Sequence, residues 1–353
     1  MKVGITHGDF NGANYEILLK IFEDPRMVEL FTPVVYGLPQ AAAHYSRLAG
    51  TPPPEWKIVT DAAQAKAGAL NMVDIAPGET FDIQPGKATP EAGQAARAAL
   101  AKAVADLKEG KIDVMVTAPI DKNTIQSDEF HFPGHTEYLA RELATDSSPA
   151  ALMVLCNDTL RVALVTSHVP LSAVAPLITR QSVLDKLRLF NHTLLMDFTL
   201  PHPRIAVLAL NPHASDGGVM GNEEADAIEP AIADAQAEGI EAYGPYAADG
   251  FFGSGAYRHF DGVLAMYHDQ GLAPFKTLAM HNGVNFTAGL SHVRTSPDHG
   301  TARDLAGTGR SDEQSMRAAI YAAIDIKRNR DTNSLIFANP LKKLYNTTQN
   351  NRE

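Results

Sequence analysis

Three histidines of the sequence each follow a short apolar segment that is typical of a buried β-strand. The segments and their histidines are residues 162–165 with His168, residues 205–210 with His213, and residues 263–266 with His268. Because the carboxyl ends of parallel strands meet at one edge of a sheet, these imidazoles can converge although they lie far apart in the chain. Three neutral imidazoles leave a coordination position open, as in a catalytic divalent-metal site. The pattern therefore predicts a metal centre, and the alternative is that each histidine caps its strand or bonds a backbone carbonyl.

Groups suited to an anionic ligand accompany these histidines. His135 and Thr136 precede a helical run, and a helix N-terminus offers free backbone N–H groups to a phosphate or carboxylate. Lys276, Asn285 and Arg294 lie in a tract with few other charges, and a Lys/Arg pair with an amide donor suits a phosphomonoester. The sequence therefore predicts a phosphate-binding site, and the alternative is that the two cations are solvated surface charges.

Several common active-site motifs are absent from the sequence. It contains no GxGxxG dinucleotide fingerprint, no P-loop, no HExxH helix and no GxSxG elbow. These absences argue against most NTPases, zinc proteases and serine hydrolases, and a dinucleotide would have to bind in another way. The single cysteine, Cys156, excludes an internal disulfide or a cysteine-based metal cluster. The candidate site is therefore built from histidines.

Composition and charge narrow the class of protein. The chain has 353 residues with 30 basic and 41 acidic side chains, and its net charge of −11 argues against a nucleic-acid or anionic-membrane binder. Hydrophobic residues make up 45% and charged residues 20%, as in ordinary globular proteins. The N-terminus does not resemble a signal peptide, and no apolar run is long enough to span a bilayer. We therefore expect a soluble, cytoplasmic protein.

Short Val- and Ile-rich runs alternate with stretches at helical spacing, which predicts an α/β protein with mostly parallel strands. The clearest helix covers residues 91–108, with Thr89 as its N-cap. Further helices are predicted over residues 171–197 and 222–238. The Gly-rich tract 271–309 is predicted to be mostly loop.

Seven sequence blocks extend this picture over nearly the whole chain. They are residues 117–122 (TAPIDK), 134–137 (GHTE), 166–171 (TSHVPL), 210–218 (LNPHASDGG), 266–272 (MYHDQGL), 283–285 (GVN) and 294–302 (RTSPDHGTA). With these blocks, in this order, the chain resembles the PdxA family of 4-hydroxythreonine-4-phosphate dehydrogenases. The opening segment, residues 6–16, departs from the family pattern, which has prolines and a further glycine there.

The resemblance implies two α/β/α domains, as in isocitrate and isopropylmalate dehydrogenases, with the active site in the cleft between them. The implied first domain comprises residues 1–130 plus 295–353, and the second comprises residues 131–294 with the dimer interface. The resemblance also implies a homodimer whose active sites are shared between the subunits. The residues it assigns are His168, His213 and His268 to a divalent metal, and His135, Thr136, Lys276, Asn285 and Arg294 to a phosphorylated substrate.

The activity implied by the resemblance is an oxidation of 4-phosphooxy-L-threonine by NAD. Loss of CO2 would follow and give 3-amino-2-oxopropyl phosphate, in the biosynthesis of pyridoxal 5′-phosphate. We expect the metal, which is zinc, cobalt or magnesium, to lower the pKa of the secondary hydroxyl of the substrate. Asp269 and Asp249 are candidates for the base that takes the hydroxyl proton. The cofactor contacts are not assigned, and NADP remains an alternative to NAD.

Other functions are compatible with the same residues. A paralogous dehydrogenase could oxidise another four-carbon acid phosphate, such as erythronate or threonate 4-phosphate. A metal centre with an open position could instead generate hydroxide for a phosphohydrolase. The simplest alternative is a non-catalytic protein that binds a metal or a phosphate.

Overall fold

One sheet of twelve strands runs through the computed structural model, which describes residues 1–127, 130–143 and 151–338. The strands are β1 (Lys2–Thr6), β2 (Thr32–Gly37), β3 (Lys57–Val59), β4 (Asn71–Asp74), β5 (Val114–Thr117), β6 (Leu152–Cys156), β7 (Arg161–Leu164), β8 (Ile205–Leu208), β9 (Ala242–Tyr246), β10 (Gly262–Ala265), β11 (Val284–Ala288) and β12 (Arg294–Pro297). Their order across the sheet is β3-β4-β2-β1-β5-β12-β11-β6-β7-β10-β8-β9. Helices cover both faces of the sheet, so the expected α/β fold is confirmed.

Two parallel halves of the sheet run in opposite directions. The first six strands in the sheet order, which begin with β3 and end with β12, are parallel to one another. The last four, which begin with β7 and end with β9, are also parallel to one another. The pairs β12–β11, β11–β6 and β6–β7 between the halves are antiparallel. β7, β10 and β8 are parallel neighbours, so the three strands that precede the candidate metal histidines do end at one edge of the sheet.

The predicted partition into two domains stays a prediction. Strands from residues 1–130, together with β12, form one half of the sheet, and strands from residues 131–294 form the other. A single sheet nevertheless continues through both parts, and β12 itself begins at Arg294, at the predicted boundary. Residues 339–353 of the implied first domain lie outside the described residues.

Eleven α-helices occur in the described residues. They are α1 (Asn14–Phe22), α2 (Met27–Leu30), α3 (Pro39–Ala49), α4 (Pro90–Lys108), α5 (His135–Glu142), α6 (Val174–Leu177), α7 (Arg180–Met196), α8 (Glu229–Ala237), α9 (Ala248–Gly253), α10 (His268–Ala279) and α11 (Gln314–Ala338). The predicted α4 is confirmed: the side chain of Thr89 accepts a hydrogen bond from the N–H of Ala92, and Pro90 begins the helix. No helix of the described ranges combines the length and apolarity needed to cross a bilayer.

The prediction of a loop-rich tract over residues 271–309 is wrong for three segments of it. α10 continues to Ala279, and β11 and β12 follow it. Gly271 and Pro274 resembled helix breakers in the sequence, but Gly271 is the point where α10 packs closely on the sheet. The strands β11 and β12 did not match an apolar strand pattern because three of their polar residues, Asn285, Arg294 and Ser296, line a cavity rather than an apolar core.

Two other helix boundaries differ from the predictions. The stretch 171–197 is not one helix, because Thr179 caps a new one: its side chain accepts from the N–H of Ser182, and the Ser182 hydroxyl accepts from the N–H of Thr179. The predicted helix over residues 222–238 begins with a π-helical turn, Glu224–Ile228, before α8. Pro230 lacks the N–H that a regular α-helical turn would use there.

Alternate residues of the strands face two opposite helical layers. Val35 packs in the cluster that holds α1 and α3, whereas Val34 and Tyr36 pack with α4. Leu264 belongs to the same cluster as Val35, which also includes α7, α8 and α11, whereas Val263 packs with α9 and α10. One face is therefore covered continuously. The other face carries two separate clusters, with α4 and α5 in one and α9 and α10 in the other.

The atypical segment 6–16 comprises the end of β1, a buried loop and the first residues of α1. The side chain of Asn14 donates to the carbonyl oxygen of Pro119 (2.9 Å), and Arg303 donates to the carboxylate of Asp9 (2.5 Å). Gly8 has φ +63°, and a Cβ there would lie 2.2 Å from the Pro119 oxygen, so glycine is required at this close approach. The loop therefore supports the chain segment that follows β5.

Candidate active site

A cavity of about 250 Å³ lies over the central strands, between the two helical clusters of the same face. All five predicted substrate residues and two of the three predicted metal histidines line it; they are His135, Thr136, Lys276, Asn285, Arg294, His168 and His268. These residues come from α5, α10, β11, β12 and the segment after β7. The fold therefore brings together groups that are separated by up to 159 residues in the chain.

Arg294 is the most deeply buried cation of the cavity. Its side chain donates to the hydroxyl of Thr117 (2.6 and 3.1 Å) and to that of Thr287 (3.0 Å), and the residue is only 2% exposed. No described carboxylate lies within ion-pair distance of it. Burial lowers the pKa of Arg294 to about 9, so the group still carries its charge near neutral pH. The idea that Arg294 is a solvated surface charge is wrong, and its setting suits an anionic ligand.

Two neighbouring side chains present buried polar atoms that have no protein partner. These atoms are Nε2 of His135 and Oδ1 of Asn285. Burial, together with the positive charges of Arg294 and Lys122, lowers the pKa of His135 well below its usual value, which keeps the imidazole neutral. Buried polar groups of a folded protein almost always have a partner. The cavity is therefore prepared for a polar ligand that donates and accepts hydrogen bonds.

Lys276 reaches the cavity from the last turn of α10. Its ammonium group contacts the carboxylate of Asp298 (3.2 Å) and donates to the carbonyl oxygen of the same residue (3.0 Å). Burial raises the pKa of Asp298, and the contact with Lys276 acts in the opposite direction. Asp298 therefore fixes the position of the ammonium group at one end of the cavity.

His168 and His268 line the same cavity side by side, with their ring centroids 5.9 Å apart. Nδ1 of His168 donates to Glu137 (2.8 Å), and Nδ1 of His268 donates to Asp269 (2.6 Å). Neither ring bonds a backbone carbonyl of the described residues, so the alternative role as strand caps does not fit this pair. Because both Nδ1 atoms are occupied by carboxylates, both Nε2 atoms remain available as ligands.

His213 does not join this pair within one chain. It lines a second cavity of about 440 Å³ together with Asp249, Tyr267, Gln270 and Pro274. The helix α10 lies between the two cavities, because residues two apart in an α-helix point to nearly opposite sides. One of its faces presents His268, Leu272 and Lys276, and the opposite face presents Gln270 and Pro274. Within the described ranges, no group of three or more His, Cys, Asp or Glu side chains is placed to hold a metal ion.

The backbone around His213 adopts an uncommon conformation. Four consecutive residues, His213 to Asp216, have φ between 49° and 64°, although none of them is glycine. The carboxylate of Glu224 accepts from the N–H groups of Leu210 and Asn211 (2.8 and 2.7 Å) and holds the start of this turn. Left-handed conformations of such residues are strained and cluster at functional sites.

The two predicted catalytic carboxylates lie in different places. Asp269 is bonded to His268, and its side chain is 86% exposed. Asp249 lines the second cavity with His213. The structure therefore does not bring the two carboxylates together in one cavity of a single chain.

Four residues of the site were not selected from the sequence. Lys122, Asp298 and His299 line the main cavity, and Glu137 contacts His168 from behind. Each belongs to one of the seven sequence blocks named above. Glu137, for example, follows His135 and Thr136 directly in GHTE. Its role was hidden because its partner, His168, comes from a different segment of the chain.

Comparison with known proteins places these observations in a family. The model of the family described as pyridoxal phosphate biosynthetic protein PdxA matches residues 29–323. A 4-hydroxythreonine-4-phosphate dehydrogenase of Bacteroides thetaiotaomicron is 52% identical over 345 residues, which cover 98% of this chain and 94% of the relative. The enzyme of the same name from Prosthecochloris aestuarii is 44% identical over 334 residues, covering 92% of this chain and 97% of the relative.

The fold is also found in crystal structures. That of the 4-hydroxythreonine-4-phosphate dehydrogenase from Klebsiella pneumoniae superposes with a TM-score of 0.78 at 33% sequence identity. The superposition covers 92% of this chain and 98% of the other.

Proposed function

The chain belongs to the PdxA family, and from this premise we propose that it oxidises 4-hydroxythreonine 4-phosphate in pyridoxal 5′-phosphate biosynthesis. One observation of the structure carries the proposal. The main cavity combines a buried guanidinium group that no described carboxylate neutralises, a lysine and two imidazoles with free Nε2 atoms. A substrate with a phosphate at one end and a hydroxyl group near the other would satisfy both ends of such a cavity.

The cations of the cavity would bind the phosphate of the substrate. Arg294 offers a planar set of donors, and Lys276 supplies a second positive charge. A bound anion would offset the free-energy cost of burying the guanidinium group. Asn285 and His135 have unpartnered atoms for further polar groups of the ligand. Phosphate binding at this end would orient the rest of the substrate toward His168 and His268.

The pair of imidazoles fits a divalent cation, and nitrogen ligands suit zinc or cobalt better than magnesium. The chemistry of the donors fits because both Nε2 atoms are unoccupied and both Nδ1 atoms donate to carboxylates, as is usual for metal-bound histidines. One chain supplies only two of the three ligands. We therefore propose that the partner subunit's His213 completes the set in a homodimer with shared active sites. A bound cation would lower the pKa of the substrate hydroxyl and stabilise the charge that develops when CO2 is lost.

The remaining chemistry is an oxidation at the carbon that carries the hydroxyl, with NAD as the proposed hydride acceptor. The resulting 3-oxo acid would lose CO2 to give 3-amino-2-oxopropyl phosphate. The hydroxyl proton needs an acceptor, and Asp269 and Asp249 remain our candidates. Oδ1 of Asp269 accepts from His268, which leaves Oδ2 of the same carboxylate to take up the proton. We also expect the enzyme to act in the cytoplasm.

A spectrophotometric assay tests this function. Purified protein should form NADH from 4-phosphooxy-L-threonine and NAD, and a chelator should abolish the reaction until a divalent metal is restored. Parallel assays with erythronate and threonate 4-phosphate, and with NADP, decide between the substrates and cofactors. Phosphate release without NAD would contradict the proposal and support a phosphohydrolase.

A further inference from the structure

Glu137 lies behind the ring of His168 and does not line the cavity. It sits in the first turn of α5, directly after His135 and Thr136, and its Oε1 accepts the hydrogen bond from Nδ1 of His168 (2.8 Å). Its other oxygen, Oε2, is buried and has no protein partner. Burial by itself would raise the pKa of Glu137, but the hydrogen bonds from His168 and from its own backbone N–H lower it overall. The carboxylate is therefore charged at neutral pH.

We propose that Glu137 is a positioning residue that selects the reactive form of His168. A neutral imidazole has its proton on either Nδ1 or Nε2, and only the nitrogen without the proton can bind a metal or accept a hydrogen bond. By accepting from Nδ1–H, Glu137 keeps the proton there and directs the lone pair of Nε2 into the cavity. The inference rests on the proposed function in one respect, namely that His168 binds a cation.

The N-terminus of α5 lies beside the carboxylate of Glu137. A Cβ atom built on Gly134, the residue before α5, would be in ordinary van der Waals contact with Oε2 (3.6 Å). The first turn of α5 also carries His135 and Thr136, which line the main cavity. The first turn of α5 thus carries two residues of the proposed substrate site and also orients His168, a candidate metal ligand. A shift of this turn would disturb both.

The corresponding pair on α10 is less constrained. Asp269 makes the same type of bond to His268, but its side chain is 86% exposed, whereas that of Glu137 is 30% exposed. Solvent competes with an exposed hydrogen bond and reduces its net strength. Loss of the Glu137 carboxylate should therefore change the orientation of His168 more than loss of the Asp269 carboxylate changes that of His268.

Three substitutions of Glu137 separate its contributions. Glu137→Ala removes the acceptor, and Glu137→Gln keeps an oxygen acceptor without the charge. Glu137→Asp keeps the charge, but its carboxylate is about 1.5 Å further from His168 because one C–C bond is missing. The matched control is Glu142→Gln, since Glu142 is on the same helix but pairs with Lys108 away from the cavity (3.0 Å).

The tautomer of His168 can be measured without metal or substrate. In the metal-free protein with 15N-labelled histidine, two-dimensional NMR distinguishes the two neutral tautomers, and a His168→Gln variant assigns the signal. We expect the Nδ1–H form in the wild type and in Glu142→Gln. Glu137→Ala and Glu137→Asp should shift His168 toward the Nε2–H form. An unchanged tautomer in both of these variants would overturn the inference.

Zinc affinity gives the second measurement. Titration of the metal-free protein with Zn2+ against a competing chelator should show binding about 10- to 100-fold weaker in Glu137→Ala, with a smaller loss in Glu137→Gln. Equal affinities of Glu137→Ala and the wild type, or equal losses in Glu137→Ala and Glu142→Gln, would contradict the inference. A wild-type protein that binds no Zn2+ would instead contradict the proposed metal site, while the tautomer measurement would still decide the role of Glu137. If Glu137→Ala does not fold, Glu137→Asp provides both measurements.

Discussion

Arg294 shows how a single residue can prepare the cavity for its ligand. A guanidinium group buried with only two hydroxyl partners is poorly solvated, and its lowered pKa reflects this loss. Most of the desolvation cost is incurred on folding, before a ligand arrives. A phosphate group would therefore gain nearly the full strength of a charge-assisted bond in a site of low polarity.

The first prediction concerns substitution of this guanidinium group. Arg294→Lys keeps the positive charge but loses the planar set of donors, so we expect the KM for the phosphorylated substrate to rise about 10- to 100-fold, equivalent to roughly 1.5–3 kcal/mol. Steady-state kinetics would measure KM and kcat separately. Arg310→Lys is the control, because Arg310 is exposed and outside the cavity. An unchanged KM in Arg294→Lys would remove Arg294 from the phosphate site.

The second prediction concerns His7, which is fully buried after β1. Burial lowers the pKa of His7 from 6.5 to about 4, and the hydrogen bond to the carbonyl oxygen of Ala95 offsets only part of this effect. Between pH 6.5 and 4 the unfolded chain therefore binds a proton at His7 that the folded protein does not. Stability should fall as the pH decreases through this range, by up to about 3 kcal/mol from this group.

Comparison of variants isolates the contribution of His7 from that of other histidines. Urea unfolding of the wild type and His7→Gln at pH 4.5 and pH 7 should show a smaller pH dependence in the variant. His202→Gln replaces an exposed histidine and should leave the pH dependence unchanged. Equal pH dependence in the wild type and His7→Gln would show that His7 does not stay neutral in the folded protein.

At the scale of elements, α10 is the part that organises the site. It presents His268 and Lys276 to the main cavity and Gln270 and Pro274 to the second one. The helix can approach the sheet closely because it has glycine at position 271. A Cβ there would lie 2.9 Å from side-chain atoms of Val162 and Leu164.

The third prediction follows from this close approach. Gly271→Ala should push α10 away from β7 and β10, destabilise the protein by roughly 1–3 kcal/mol and lower kcat/KM, because His268 and Lys276 move with the helix. Gly253→Ala in α9 is the matched control, since a Cβ there meets no atom within 4 Å. It should be neutral or slightly stabilising. Thermal unfolding and steady-state kinetics would measure both effects, and a fully active, fully stable Gly271→Ala would contradict this packing argument.

The sequence predicted the elements of this fold best where local signals were strong. The cap at Thr89 and the alternation of strands and helices were sufficient for α4 and for the α/β class. α10 was missed because Gly271 and Pro274 are helix breakers in most contexts, and only the close packing on β7 explains the glycine. Residue types and strand ends were enough to select His168, His268 and Arg294. The contact between Glu137 and His168 could not be predicted, since it joins α5 to the segment after β7, which only the fold brings together.

At the scale of the whole molecule, net charge and site charge have opposite signs. The chain carries −11 overall, yet Lys122, Lys276 and Arg294 line one cavity, where Asp298 is the only lining carboxylate among the described residues. The net charge is thus a property of the outer surface, and it does not determine what the cavity binds. The cavity lies where the two parallel halves of the sheet meet, so residues from both halves contribute to it.

The fourth prediction tests whether the active site is shared between two subunits. If His168 and His268 of one chain act with His213 of the other, His168→Ala and His213→Ala are each inactive as homodimers. A mixed dimer of the two variants retains one intact site, because one chain then supplies His168 and His268 and its partner supplies His213. Random mixing makes half of the dimers mixed, so about a quarter of the wild-type NADH formation should return.

A second mixture provides the control for this experiment. His168→Ala with His268→Ala should recover no activity, because each chain then lacks one member of the pair that the structure places within a single chain. Recovery in both mixtures would mean that His168 and His268 also act across the interface. No recovery in either mixture would place His213 in the site of its own chain, and the turn at His213–Asp216 would then have to move toward the main cavity when a metal binds.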